Sequence, residues 1–171
     1  TNSLSLHVLD RLGVKGVALS PELTLKQISS MRKVKLKVEC IAHGPLELMV
    51  SEHCVARSIL CPEGRCSAPC LNSHFYLEDE RGFCFPVVFD QNCRMHLLNS
   101  RDLCMIDSLD ALAEAGVDVV RLDCRVKPLS YVEEVVRAYR SVLDGGDALH
   151  FKKRLRGLAP ITRGHFYRGV A

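Results

Sequence analysis

The chain has 171 residues, of which 47% are apolar and 25% charged, and its net charge is +3. That composition supports a packed core and excludes wholesale disorder, while so small a charge does not by itself call for nucleic acid. No uncharged apolar run reaches the roughly 18 residues of a membrane span, and no basic segment followed by an apolar run opens the sequence. The expectation is a cytoplasmic protein with no membrane partner. The chain does not begin with Met and is expected to be a piece of something longer.

In chain order, Leu4, Leu6, Val8, Leu9 and Leu12 recur at helical spacing and predict a helix over 3–12 that stops at Gly13. Gly16–Leu19 reads as a short strand. Ser20-Pro21-Glu22 offers a cap, a first-turn Pro and an acid, and predicts a helix running to about Arg32. Residues 34–44 alternate: Val34, Leu36, Val38, Cys40 and Ala42 face one way, Lys35, Lys37, Glu39, Ile41 and His43 the other. Residues 103–106 read as a strand, with Asp107 or Ser108 capping a helix to about Ala115. Residues 117–126 alternate again, Val120, Leu122, Cys124 and Val126 opposite Arg121, Asp123 and Arg125. Ser130 is expected to cap a last long helix with Val132, Val135, Val136 and Tyr139 on one face, ending at Gly145-Gly146.

Strands alternating with helices imply parallel β/α units. Four such pairs are half of an eight-fold barrel, which needs about 250 residues. The fold class expected is therefore α/β, the C-terminal half of a modified (β/α)8 TIM-type barrel. Its four strands are expected to be parallel neighbours in chain order. Half a barrel leaves sheet edges bare, so the missing N-terminal half-barrel or another copy of the chain, as a homo-oligomer, is expected to complete it. The barrel half would occupy 1–149 and a basic tail 150–171. A small stand-alone doubly wound sheet is the alternative, but no glycine fingerprint for phosphate follows any strand.

A long insertion, 45–101, interrupts the rhythm, and insertions of that length in compact domains are usually functional. Its second part predicts a β-hairpin around Glu80-Arg81-Gly82. It also holds six of the nine cysteines: Cys54, Cys61, Cys66, Cys70, Cys84 and Cys93. Nine is odd, so disulfides cannot pair them all. The spacing C-x6-C-x4-C-x3-C, with Cys93 and Cys104 downstream, suits thiolate ligation of Zn²⁺ or an iron–sulfur cluster, though it is not a zinc ribbon. Buried core thiols are the plainer alternative, and Cys40 and Cys124 are read that way.

Two further constellations stand out. If the apolar strand faces pack outward on helices, Glu39, His43, Arg121, Asp123 and Arg125 converge at the barrel mouth. There they would form either an internal ion-pair network or a site for acid–base chemistry on a substrate. From His150 onward there are six Lys or Arg and no acid, ending in Thr162-Arg163-Gly164-His165-Phe166-Tyr167-Arg168. Such a stretch is either a solvated tail or a grip for RNA.

The segments LSPELTLKQI, VECIAHGPLELMVSEHC, GRCSAPC, YLEDERGFCFPVVFDQNCRMHLLNSRDLCMI and ITRGHFYRGV resemble, in order, the collagenase-like peptidase family, family 32 of the unknown-mechanism class. The resemblance implies the C-terminal half of a modified (β/α)8 catalytic domain. It implies a peptidase by label, and by other members an oxygen-independent hydroxylase acting on an RNA base or a small aromatic substrate with a four-iron cluster. The family's Cys after the His-Gly pair is Glu47 here. The ligand set the resemblance implies is Cys54, Cys66, Cys70 and Cys93, with Cys104 as a substitute, while the family's Glu-Gly-Arg becomes Asp123-Cys124-Arg125. No Ser elbow, HExxH or Asp-Thr-Gly marks a peptidase centre, and a Cys–His pair would have to draw on His43 or His53. The first expectation is thus a redox enzyme with a 4Fe-4S cluster. A true peptidase with structural zinc, and a metal-stapled module binding peptide or RNA, are the alternatives.

Overall fold

The computed structural model describes residues 2–31 and 35–169. Val34 and the expected helix end at Arg32 lie outside them. The chain divides into two compact units, one of residues 1–44 and 102–171, the other of Pro45–Arg101. Seven strands, parallel in the first unit and antiparallel in the second, alternate with helices in a mixed α/β chain; no barrel closes among the described residues. No described helix is long and apolar enough to cross a membrane.

The first unit opens with α1 (Ser3–Arg11), capped by the Asn2 side chain, which accepts from Ser5 N. Then come β1 (Gly16–Ala18) and α2 (Leu25–Ser30). Thr24, not Ser20-Pro21, starts α2: its hydroxyl accepts from Gln27 N while the Gln27 side chain accepts from Thr24 N. This reciprocal pair satisfies two orphan donors, which Ser20 does not match. β2 (Lys37–Ser51) pairs in parallel with β1, Val17 opposite Val38.

β6 (Val119–Leu122) lies directly beside β2 in parallel, Glu39 opposite Val119 and Ile41 opposite Arg121. β5 (Met95–Cys104) is also a sheet neighbour of β2, as the chain order predicts, so that order is corrected at β6, which lies beside β2 and not beside β5. The end of β5 pairs in addition with β7 (Ile161–Thr162), Leu103 opposite Thr162. β5 also begins eight residues before the predicted strand, and β6 is shorter than its alternation suggested.

α4 (Leu109–Glu114) follows a 3-10 turn, and α5 (Leu129–Leu143) begins after Pro128, which pre-sets the first turn without a side-chain cap. Ser130 therefore sits inside α5. The buried face of α5 is Tyr131, Val135, Ala138 and Tyr139, whereas Val136 is half exposed. The face is rotated because both tyrosines have buried polar partners, described below. The stretch expected as a tail forms α6 (Ala148–Leu158), capped by Asp147, then β7 and a turn. Leu103, Met105, Ile106, Leu112, Val135 and Leu155 form the dry centre.

The second unit holds α3 (Val55–Leu60) and the antiparallel pairs β3 (Phe75–Glu78) with β4 (Cys84–Phe89) and β4 with β5. The hairpin turns at Glu80-Arg81-Gly82, as its sequence predicts. Gly82 takes φ +77°, and the Asp79 carboxylate accepts from Arg81 N and Phe83 N.

Candidate metal centre and buried polar cluster

Cys54, Cys61, Cys66, Cys70 and Cys93 line one cavity of about 630 Å³ in the second unit, with His53 and Arg57 also on its wall. Local hydrogen bonding places the sulfurs. Cys54 caps α3, its Sγ accepting from Arg57 N at 3.4 Å; Cys66 Sγ accepts from Ala68 N at 3.4 Å. Cys61 Sγ lies 3.3 Å from Ser67 Oγ, and that hydroxyl is the main reason its thiol ionises below the usual range. Hydrogen bonds to sulfur stabilise thiolates and tune a cluster they hold.

Two residues at this cavity are non-glycine residues in the left-handed region, Ala68 at φ +54° and Cys93 at φ +60°. Each conformation costs about 1–2 kcal/mol, and such strain gathers at functional sites. The Cys93 turn is held by Asp90. One carboxylate oxygen accepts from Asn92 N and Arg94 N, each at 2.9 Å, and the other from Arg94 Nε at 2.8 Å. These bonds, led by the Arg94 amide, hold the carboxyl far below its usual range. His96 braces the same turn, with Nε2 3.4 Å from Asp90 and Nδ1 2.7 Å from Glu47.

Among the described residues, no three His, Cys, Asp or Glu side chains close on one point as the ligands of a single ion would. Zn²⁺ needs sulfurs about 2.3 Å from one centre. A cluster spreads its four thiolates around a larger body, and a cavity ringed by five thiols fits that donor set. Cys104 does not line the cavity; it is fully buried in the first unit, and burial pushes its thiol up. Cys40 is likewise buried and pushed up to about 11, and Cys84 is exposed on β4. His53 Nε2 meets Ser58 Oγ at 3.1 Å rather than a thiol.

The polar residues picked from the two strands do not form one constellation. Glu39 and Arg121 make an ion pair across neighbouring strands. Asp123 holds Arg125 by two bonds, 2.9 Å to Nε and 2.7 Å to Nη2, which, with a lesser pull from Arg121, keep its carboxyl low. These four form a run of alternating charge. His43 is elsewhere: the register shifts between Ile41 and His43, and this irregularity separates the imidazole from the Glu39 row.

His43 is fully buried between Tyr131 and Tyr139. Its Nε2 lies 2.9 Å from the Tyr131 hydroxyl, which donates to Asp102 Oδ2, and Lys127 Nζ reaches the same oxygen at 2.8 Å. Because the Tyr131 proton goes to Asp102, its oxygen accepts from His43 Nε2–H. Nδ1 is then a bare acceptor, without a partner among the described residues. Burial lowers the His43 pKa to about 4, so the ring is neutral, and burial also raises Tyr131. Tyr139 donates to the Ala42 carbonyl at 2.7 Å and accepts from Met105 N at 3.1 Å.

The sequence reading missed Asp102, Lys127 and Tyr131. Asp102 falls between the expected insertion and the expected strand at 103–106, and Tyr131 lies one position off the expected helix face. The available signal was an acid, a lysine and a tyrosine each next to an apolar strand or helix start.

The family model described as peptidase family U32 matches residues 1–161. The chain belongs to this family. An uncharacterized protease of Methanocaldococcus jannaschii is 34% identical over 91% of this chain and 41% of its own length. The tRNA hydroxylation protein P2 of Bacillus subtilis is 25% identical over 95% of this chain and 57% of its own. A 23S rRNA 5-hydroxycytidine synthase of Escherichia coli is 31% identical over 80% and 20%. The chain thus spans less than two thirds of each of these relatives. No solved structure matches it.

Proposed function

We propose that this chain is the C-terminal half of a (β/α)8-barrel enzyme that hydroxylates a base in RNA, with Cys54, Cys66, Cys70 and Cys93 holding a four-iron cluster. The observation that carries the reading is the cavity ringed by thiols, two of whose residues are held in strained backbone. U32 relatives named for tRNA and rRNA hydroxylation support the substrate class. The parallel run β1–β2–β6 supports the half-barrel, and among the described strands β1 pairs with β2 alone, leaving an edge for the remaining half of the barrel.

When bound, such a cluster supplies one-electron transfer. The chain's own residues do the rest. Arg57 places a cation on the wall of the cavity that the cysteines line. The amides of Arg57 and Ala68 donate to the Cys54 and Cys66 sulfurs. Glu39, Arg121, Asp123 and Arg125 orient the base through charge-assisted bonds, and the His43 cluster fixes the strand ends beneath them. A cytoplasmic location goes with this reading.

The test is nucleoside mass spectrometry on RNA from cells lacking the full-length gene. Restoring the wild-type gene should restore one nucleoside heavier by one oxygen, and Cys66→Ser should not restore it. An unchanged nucleoside profile in the deletion would overturn the reading.

A second reading is a hydrolase with structural zinc. It draws on the relative named as a protease and on the contact between Ser58 Oγ and His53 Nε2. Ser58 Oγ also lies 3.2 Å from the Cys54 carbonyl, and no bond orients His53 Nδ1 among the described residues. Peptide cleavage abolished by Ser58→Ala would favour it.

A further inference from the structure

Residues 148–169 carry six Lys or Arg and no Asp or Glu, although the whole chain nets only +3, so the remainder is net acidic. The segment is ordered and built onto the first unit. Lys152 Nζ and Arg163 Nη2 both sit 2.6 Å from the same Asp107 oxygen, which ties α6 to the loop after β7. Tyr167 donates to Ser108 Oγ at 2.8 Å, and Leu25 N donates to the Phe166 carbonyl.

One carboxylate thus faces two cations, and Arg154 pairs with Glu134. The remaining three, Lys153, Arg156 and Arg168, are exposed and make no ion pair among the described residues. Lys153 and Arg156 lie one turn apart on α6, and Arg168 adjoins Tyr167. The Arg163 guanidinium stacks 5.1 Å from the centre of the Tyr167 ring, and both side chains are about half exposed.

Unpaired cations on α6 and next to Tyr167 in sequence, with an exposed arginine–aromatic stack on the loop that Asp107 ties to α6, match a polyanion carrying flat bases. Phosphates take the charge and a base extends the stack. We propose that α6 and the Thr162–Arg168 loop form a docking surface for the RNA backbone, separate in sequence from the thiol cavity. It rests on the RNA reading above and adds where the strand is gripped. A solvated basic face would need neither an anchored loop nor an arginine stacked on an exposed tyrosine.

The test is binding of an unmodified tRNA transcript to the full-length protein across a salt series, for wild type and the triple variant Lys153→Ala, Arg156→Ala, Arg168→Ala. The variant should bind about tenfold or more weakly, and the slope of log K against log salt should fall by about two to three. Circular dichroism, iron content and oligomeric state should not change. Tyr167→Phe should bind as wild type does, and Tyr167→Ala more weakly, because stacking needs the ring and not the hydroxyl. Equal affinity and slope in the triple variant would overturn the docking surface while leaving the RNA reading standing. Wild-type protein that binds neither this tRNA nor an rRNA transcript at any salt would overturn both. An altered oligomeric state with unchanged RNA affinity would show that a protein partner covers this face, and would overturn it too.

Discussion

The His43 imidazole donates through Nε2 to the Tyr131 hydroxyl, 2.9 Å away, and so joins β2 to the first turn of α5. Tyr131 passes its own proton to Asp102, which Lys127 neutralises. Replacing Tyr131 by Phe leaves a buried donor on His43 and removes one partner from Asp102. The expected cost is about 1–3 kcal/mol, read by chemical denaturation. Wild-type stability in Tyr131→Phe would show that the hydroxyl is not a structural link.

The same ring sets a pH dependence. Its folded pKa of about 4 lies below the ordinary 6.5, so between those values the unfolded chain binds more protons than the folded one. This contribution is fully present above pH 6.5 and is lost as pH falls toward 4. The difference in stability between wild type and His43→Gln should therefore rise over that window and stay flat above it. A flat difference throughout would mean that His43 is not buried neutral.

Gly44 follows His43 at φ +113°, and a Cβ there would stand 1.9 Å from the Asp123 carbonyl oxygen. The backbone approach is fixed by Asp123 N donating to the His43 carbonyl at 2.8 Å. Gly44→Ala should cost more than about 3 kcal/mol or give insoluble protein, by strain and displacement together. A soluble variant melting at the wild-type temperature would contradict this packing.

Much of this was legible beforehand, and the misses share a cause. The helix at 3–11, the hairpin at Gly82 and the parallel sense of β1, β2 and β6 follow from apolar period and turn chemistry, which are local. The thiols that share a cavity were visible as density in one insertion. The place of β6 beside β2 was missed because strand order depends on which helices cross over, and no residue encodes that locally. His43 was grouped with Glu39 because strict alternation ignores a register shift. Asp102 was invisible because its partners, Lys127 and Tyr131, are distant from it in sequence.

Glu39 and Arg121 are partly exposed, so their ion pair contributes at most about 1 kcal/mol to stability. Glu39→Gln should barely move the melting temperature. If the pair orients substrate, the variant should lower hydroxylation of RNA about a hundredfold with iron content unchanged. Full activity would reduce the pair to a surface contact.

Asp90 supports Cys93 without being a thiol. Asp90→Ala removes the acceptor of two backbone amides and one guanidinium, and frees the turn that holds Cys93 at positive φ. Iron retention during anaerobic gel filtration should drop, with secondary structure intact. Wild-type retention would separate Cys93 from the metal centre.

The central claim is that the thiol cavity holds a four-iron cluster. Iron and acid-labile sulfide should be measured on full-length protein purified without oxygen, beside its absorption spectrum. The expected result is about four irons and four sulfides per chain, with a brown absorption band at about 400 nm, lost in Cys54→Ala, Cys66→Ala, Cys70→Ala and Cys93→Ala and kept in Cys40→Ala. Colourless protein carrying one zinc per chain, or iron that survives all four substitutions, would contradict it.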